Sequence, residues 1–212
     1  MKKIHNGPAK VAKGMIVAGA YLMYRPKFLY TDKDEQNRQL KHPCVVIANH
    51  SGVRDAPFLL SVLKGTGLAT IVAKDWYEKK ELTWLLKGNN CIPVDRYKMD
   101  ISWLNHAAEA IRAGNSVLIF PEGHVTKGRE MDSFKSGFVL LAKRAGVPVL
   151  PIYLDHEYHA VGKRKKVMIG TPMELTVPEG GMTPDYFEKE ADRFRQEILR
   201  MQECADRVTA WI

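Results

Sequence analysis

The sequence predicts an α/β fold, a largely parallel mixed sheet flanked by helices, with a helix at the membrane interface at its N-terminus. Three observations lead to the sheet. Short, almost purely apolar runs recur, among them Pro43-Cys44-Val45-Val46-Ile47, Ser116-Val117-Leu118-Ile119-Phe120 and Val147-Pro148-Val149-Leu150-Pro151-Ile152-Tyr153, without the polar alternation of a strand wetted on one face. Segments of helical period separate them, which is the order expected of crossover-connected parallel strands. Polar and glycine residues follow two of the runs, at Asn49-His50-Ser51-Gly52 and Pro121-Glu122-Gly123-His124, and strand ends of a parallel sheet gather along one edge.

The first element spans residues 8–24, and its uninterrupted apolar part, Met15 to Tyr24, is shorter than the roughly 20 residues needed to cross a bilayer. A basic start before an apolar run leaves a removable signal open, although the cleavage pattern is not convincing. With Lys2, Lys3, Lys10 and Lys13 ahead of it, and Arg25 and Lys27 behind, residues 1–30 read as an amphipathic anchor on an anionic membrane surface. A helix packed on the domain's own core has the same pattern. Arg25-Pro26 ends this helix, and the polar run Thr31 to Gln39 leads into the main domain, residues 40–212.

Within that domain Ala56 to Lys64 is a helix closed by Gly65, and Gly67 to Ala73 is a strand. Trp76 to Lys87 reads as one helix, and Gly88 to Arg96 contains a short strand ending on the charged pair Asp95-Arg96. Ser102 to Ala113 and Ser136 to Ala145 are helices on either side of the strand at Ser116. Thr183 to Trp211 carries Phe187, Ala191, Phe194 and Ile198 at helical spacing and is expected to pack across the sheet. No repeat or low-complexity segment interrupts the 212 residues, a length suited to one domain with an appendage.

Lys and Arg outnumber Asp and Glu by 32 to 24, a formal charge of +8, so an anionic partner is expected: a membrane surface, a phosphorylated small molecule or nucleic acid. No platform of interleaved aromatic and basic residues supports the last of these. Cys44, Cys91 and Cys204 are far apart and form neither a zinc pattern nor a disulfide framework, which suits a reducing compartment.

His50 and Asp55 are five positions apart across a loop that follows a strand. A carboxylate that folds back on the imidazole would hold one tautomer, and the other ring nitrogen would then accept a proton from an attacking hydroxyl. Alternatively, Asp55 only caps the next helix, which Pro57 helps to start.

Asn49-His50-Ser51-Gly52-Val53-Arg54-Asp55, the segment Gly88 to Arg96 ending Ile92-Pro93-Val94-Asp95-Arg96, Phe120-Pro121-Glu122-Gly123 and Val147-Pro148-Val149-Leu150-Pro151 occur in that order. Together they resemble the four sequence blocks of the glycerolipid acyltransferase family, best known from bacterial 1-acylglycerol-3-phosphate acyltransferases. The resemblance covers Cys44 to Tyr153. It implies transfer of a fatty acyl group from acyl carrier protein or coenzyme A to a hydroxyl of lysophosphatidic acid, yielding phosphatidic acid in phospholipid biosynthesis, at the cytoplasmic face of the cell membrane and without cofactor or metal. His50 is then the base and Asp55 its orienting partner; Asn49, Arg96, Glu122, Gly123 and Lys135 are substrate-binding positions. Arg96 would bind phosphate, unless it only pairs with Asp95, and Glu122 would hold the glycerol hydroxyl or an arginine. Backbone amides of Ser51-Gly52 or Glu122-Gly123 are candidates for stabilising the oxyanion.

The third block departs from the family: where Thr-Arg-Ser usually follows Phe-Pro-Glu-Gly, this chain has His124-Val125-Thr126. Lys127, Arg129 and Lys135 lie close enough in sequence to replace the missing cation, and another lyso-lipid or glycerol 3-phosphate becomes an alternative acceptor. His124 is expected to be a neutral spacer. A different class of function is a lipid- or carrier-binding protein of the same fold without turnover. Asp155-His156-Glu157-Tyr158-His159 lacks zincin spacing and reads as an exposed loop, and Lys163-Arg164-Lys165-Lys166 reads as a solvated hairpin tip with weak membrane attraction.

Overall fold

The computed structural model describes residues 7–95, 101–126, 128–155, 164–176 and 181–208. In chain order the elements are α1 (Gly7–Tyr24), β1 (Lys27–Tyr30), β2 (Gln39–Leu40), β3 (Val45–Ala48), α2 (Asp55–Val62), β4 (Lys64–Gly65), β5 (Leu68–Ala73), α3 (Lys74–Tyr77), α4 (Lys80–Gly88) and β6 (Cys91–Val94). They continue with α5 (Ser102–Arg112), β7 (Ser116–Ile119), α6 (Gly137–Ala145), β8 (Val149–Leu154), β9 (Lys166–Ile169) and α7 (Pro184–Arg207). Seven strands form one sheet in the order β1-β9-β8-β3-β7-β5-β6. Every neighbouring pair in it is parallel except β8 with β9.

β3 occupies the centre, with Val45 in register with Val117 of β7 and Val149 of β8. Successive side chains of a strand point to opposite faces. Val45 and Ile47 accordingly enter a core shared with Phe138 of α6 and Phe194 of α7. Val46 and Ala48 enter a second core with Tyr24 of α1 and Phe58 of α2. Because both faces are covered, β3 has no polar position, which explains its unbroken apolar sequence. Parallel pairing of β3 with β7 also brings their carboxyl ends to one edge, so the segments beginning at Asn49 and Phe120 are neighbours.

Four stretches differ from the sequence reading, the first being Lys64–Gly65, read as a helix end and its closing glycine, which pairs in parallel with Gln39–Leu40. Lys27–Tyr30 is an edge strand paired with β9, although its four residues show no strong period. The helix expected over Trp76 to Lys87 is two short helices, broken where Lys79 is extended (φ −66°, ψ 115°). The Thr83 hydroxyl donates to the Tyr77 and Lys79 carbonyls, at 2.9 Å each, and supplies locally what a continuous helix would have supplied. The solvated tip expected at Lys163–Lys166 is corrected for its described residues. Arg164 donates to the carbonyls of Arg25 and Pro26, Lys165 is buried, and Lys166 lies 3.5 Å from Asp155. Asp155 is itself buried, whereas the rest of the expected loop, 156–159, lies outside the described residues, as does Lys163.

α7 begins as its composition suggests, with Pro184 in the first turn and the Thr183 hydroxyl accepting from the Tyr186 amide at 3.2 Å. Its buried stripe, including Phe194, Ile198 and Met201, packs against β8 and β9. α1 lies against α2 and α4, yet Met15 is 67% and Leu22 75% exposed. Among the described residues no helix is long and apolar enough to cross a membrane.

Candidate active site

The site starts where β3 runs out. Asn49 is fully buried; its side-chain amide donates to Leu154 O at 2.9 Å, and its carbonyl oxygen accepts from Leu154 N at 2.7 Å. These bonds engage the side chain of Asn49, expected from the sequence as a substrate-binding position, in clamping the end of β3 to β8. Asn49→Ala leaves both Leu154 backbone groups unpaired in the interior and is expected to cost about 2–4 kcal/mol, read as a lower urea midpoint at unchanged slope.

With the backbone held there, the next residues turn back on themselves. Asp55 is 0% exposed and heads α2 without capping it, since that helix has no side-chain cap bond. Its Oδ2 lies 3.1 Å from His50 Nδ1 and accepts from the amides of Ser51 and Gly52, both at 2.8 Å. Its Oδ1 accepts from Lys165 Nζ at 2.9 Å. An ionised carboxylate is an acceptor only, so the proton in the His50–Asp55 bond sits on Nδ1 and the lone pair is at Nε2. The imidazole stacks on Phe120, with ring centroids 4.1 Å apart.

Burial alone would push the Asp55 carboxyl up, but the His50 bond and the Lys165 charge outweigh it and hold it below its ordinary value of 3.8. A carboxyl depressed in the folded state stabilises the fold above its unfolded value, and that stability is lost as pH falls through the folded one. Urea unfolding is expected to show a loss beginning below about pH 4, and Asp55→Asn should flatten that part of the curve.

On the neighbouring strand end, Glu122 is 2% exposed and both of its oxygens are engaged within the chain. Oε1 accepts from the His50 amide at 2.7 Å; Oε2 accepts from the Thr126 hydroxyl and, at 3.2 Å, from the Asp132 amide. In this arrangement Glu122, expected from the sequence to hold an arginine or a glycerol hydroxyl, holds the backbone of His50. Gly123 has φ +77°, and a Cβ there would come within 3.0 Å of Lys135 Nζ, so glycine allows both the turn and the passage of this lysine. His124 is not a spacer, because Nδ1 lies 3.1 Å from Glu122 O and Nε2 lies 2.8 Å from Asp132 Oδ2. Of the amides expected to face an oxyanion, those of Ser51 and Gly52 serve Asp55, and that of Gly123 donates to Phe120 O at 3.1 Å.

Arg96 lies outside the described residues, and Asp95 lies 3.9 Å from Lys74. Lys165 is the site residue that sequence reasoning missed. Its one signal was parity, since it has the same strand phase as Val167 and Ile169, which enter the core containing Phe58. Cys44 is buried, which pushes its thiol up to about 11 against a smaller opposing effect of its bond to Ser116.

The family model for acyltransferases matches residues 30–155, more than half of the chain. The chain belongs to the acyltransferase family. It is 31% identical over 114 residues to a chloroplastic 1-acyl-sn-glycerol-3-phosphate acyltransferase of Brassica napus, covering 53% of this chain and 33% of that protein. It is 28% identical over 131 residues to the lyso-ornithine lipid O-acyltransferase of Pseudomonas aeruginosa, covering 61% and 50%. The human 1-acyl-sn-glycerol-3-phosphate acyltransferase alpha matches at 29% over 170 residues, covering 74% and 58%. The first of these matches thus span about a third to a half of the relatives' own length. The crystal structure of the 1-acyl-sn-glycerophosphate (LPA) acyltransferase from Thermotoga maritima superposes with a TM-score of 0.64 at 18% identity, covering 95% of this acyltransferase-family chain and 84% of that one. The two share a fold.

Proposed function

We propose that this chain transfers a fatty acyl group from an acyl thioester, of coenzyme A or acyl carrier protein, to the sn-2 hydroxyl of 1-acylglycerol 3-phosphate, giving phosphatidic acid. The observation that carries this reading is the His50 imidazole bonded through Nδ1 to a fully buried Asp55, with Nε2 left as the basic nitrogen. As the acceptor oxygen attacks the thioester carbonyl, its proton passes to Nε2; the tetrahedral oxyanion then collapses, the carbon–sulfur bond breaks, and the departing thiolate takes that proton from the imidazolium. No acyl-enzyme is needed. Lys135 beside Gly123, together with Arg96, supplies charge for an acceptor phosphate, and Glu122 acts by positioning His50.

A second acceptor is favoured by one specific observation. Val125 stands in place of the family's arginine, and one relative is named for a lyso-ornithine lipid, so a lyso-lipid without that phosphate is the rival substrate. The assay supplies a long-chain acyl thioester with lysophosphatidic acid, lyso-ornithine lipid or glycerol 3-phosphate on anionic liposomes. Product from lysophosphatidic acid alone supports the first reading, product from lyso-ornithine lipid moves the substrate, and no product from any acceptor favours a lipid- or carrier-binding protein.

The exposed apolar side chains of α1, in a stretch of sequence rich in lysine, suit attachment to the cytoplasmic face of an anionic membrane. Met15→Glu with Leu22→Glu should weaken cosedimentation with anionic vesicles by on the order of tenfold or more.

A further inference from the structure

We propose that Lys165 is a positioning residue of the His50–Asp55 pair: its buried ammonium, bonded to Asp55 Oδ1, keeps that carboxylate ionised with Oδ2 turned to His50, and it limits how readily the pair takes up a proton. This rests on the acyl-transfer reading for its consequence, but not for its geometry.

Lys165 is 4% exposed and is sent to the site from outside the sequence blocks, by the strand that enters the sheet antiparallel to β8. Its Nζ lies 5.0 Å from the Phe58 ring centroid and 5.6 Å from that of Tyr24. Aromatic faces attract a cation without giving it a counter-charge. Asp55 supplies that charge at 2.9 Å, and the two oxygens of one carboxylate are thus divided between an ammonium and an imidazole. The surrounding charges are accounted for. Asp155, beyond β8, acts on Lys165 and is paired with Lys166; Arg164 is tied to the carbonyls of Arg25 and Pro26; Glu122 faces His50 through its backbone amide, with His124 and Asp132 behind it. Arg54, exposed, precedes Asp55 at the start of α2.

A base must be neutral to accept a proton. Without Lys165, one negative charge is buried with His50, two amides and the Ser51 hydroxyl at 3.4 Å to balance it and no full positive charge, so the pair binds a proton more readily whichever of the two carries it. Lys165 therefore keeps the pair as a whole free of that extra proton to lower pH.

The test follows the His50 ring by carbon–proton NMR across pH 5 to 9, its resonance assigned by loss in His50→Gln, in the parent, Lys165→Met and Lys165→Gln. The same proteins are assayed for kcat against pH with palmitoyl-coenzyme A and lysophosphatidic acid. The titration midpoint and the acid limb of kcat are expected to rise by about one pH unit in both neutral variants, and Lys165→Arg should lie closer to the parent. An unchanged midpoint in a folded neutral variant overturns the proposal. If neither variant folds while Asp55→Asn/Lys165→Met does, the lysine is required by the charge of Asp55, as proposed; if the double variant fails too, Lys165 acts by packing and the proposal falls. Parent-like turnover in His50→Ala would instead sink the acyl-transfer reading, and the NMR midpoint would still judge the role of Lys165.

Discussion

His50→Ala is expected to lower acyl transfer by about 10³-fold with the fold intact, the scale on which a positioned general base acts. The fold survives because His50 contributes little to it. Without the ring, Asp55 still accepts from the Ser51 and Gly52 amides and from Lys165, so its charge stays compensated. What is lost is one of several bonds to Asp55, together with the stacking on Phe120, which is worth about 0.5–1.5 kcal/mol. Circular dichroism and the urea midpoint measure the fold, and thioester consumption with product analysis measures the transfer. Turnover within a few-fold of the parent would remove His50 from the chemistry.

Asp55→Ala is expected to have the largest effect on stability, about 3–5 kcal/mol, because it abandons the Lys165 ammonium between two aromatic rings in the interior. Transfer should fall by about 10²–10⁴-fold as the imidazole loses its tautomer and its aim. Adding Lys165→Met separates the two effects. With both charges gone, much of the stability returns, since an apolar pair of similar volume replaces an ion pair that had been costly to desolvate. Activity does not return, because nothing then orients His50. Recovery of both in the double variant would mean that Asp55 matters only as a counter-ion to Lys165.

Most of the sheet was legible in the sequence because its central strands are buried on both faces, and burial on both faces writes itself as an uninterrupted apolar run. His50 and Asp55 were legible for a related reason: they are neighbours along the chain, and a turn of four residues is enough to join them. Elements that depend on a distant partner were harder to read. β1 is a strand because β9 lies beside it, and Lys27 to Tyr30 carries no period that announces this.

The same distinction divides the site. Sequence alone determined the α/β class and set His50 and Asp55 on one short loop, since both follow from local composition and spacing. Tertiary structure alone decided that Asn49 and Glu122 hold the backbone, and that Lys165 is buried against Asp55. The physical reason is range. A hydrogen bond across five residues constrains neighbouring residue types, whereas Lys165 and Asp55 are 110 positions apart, and only the order of strands β8, β9 and β3 brings the two charges together.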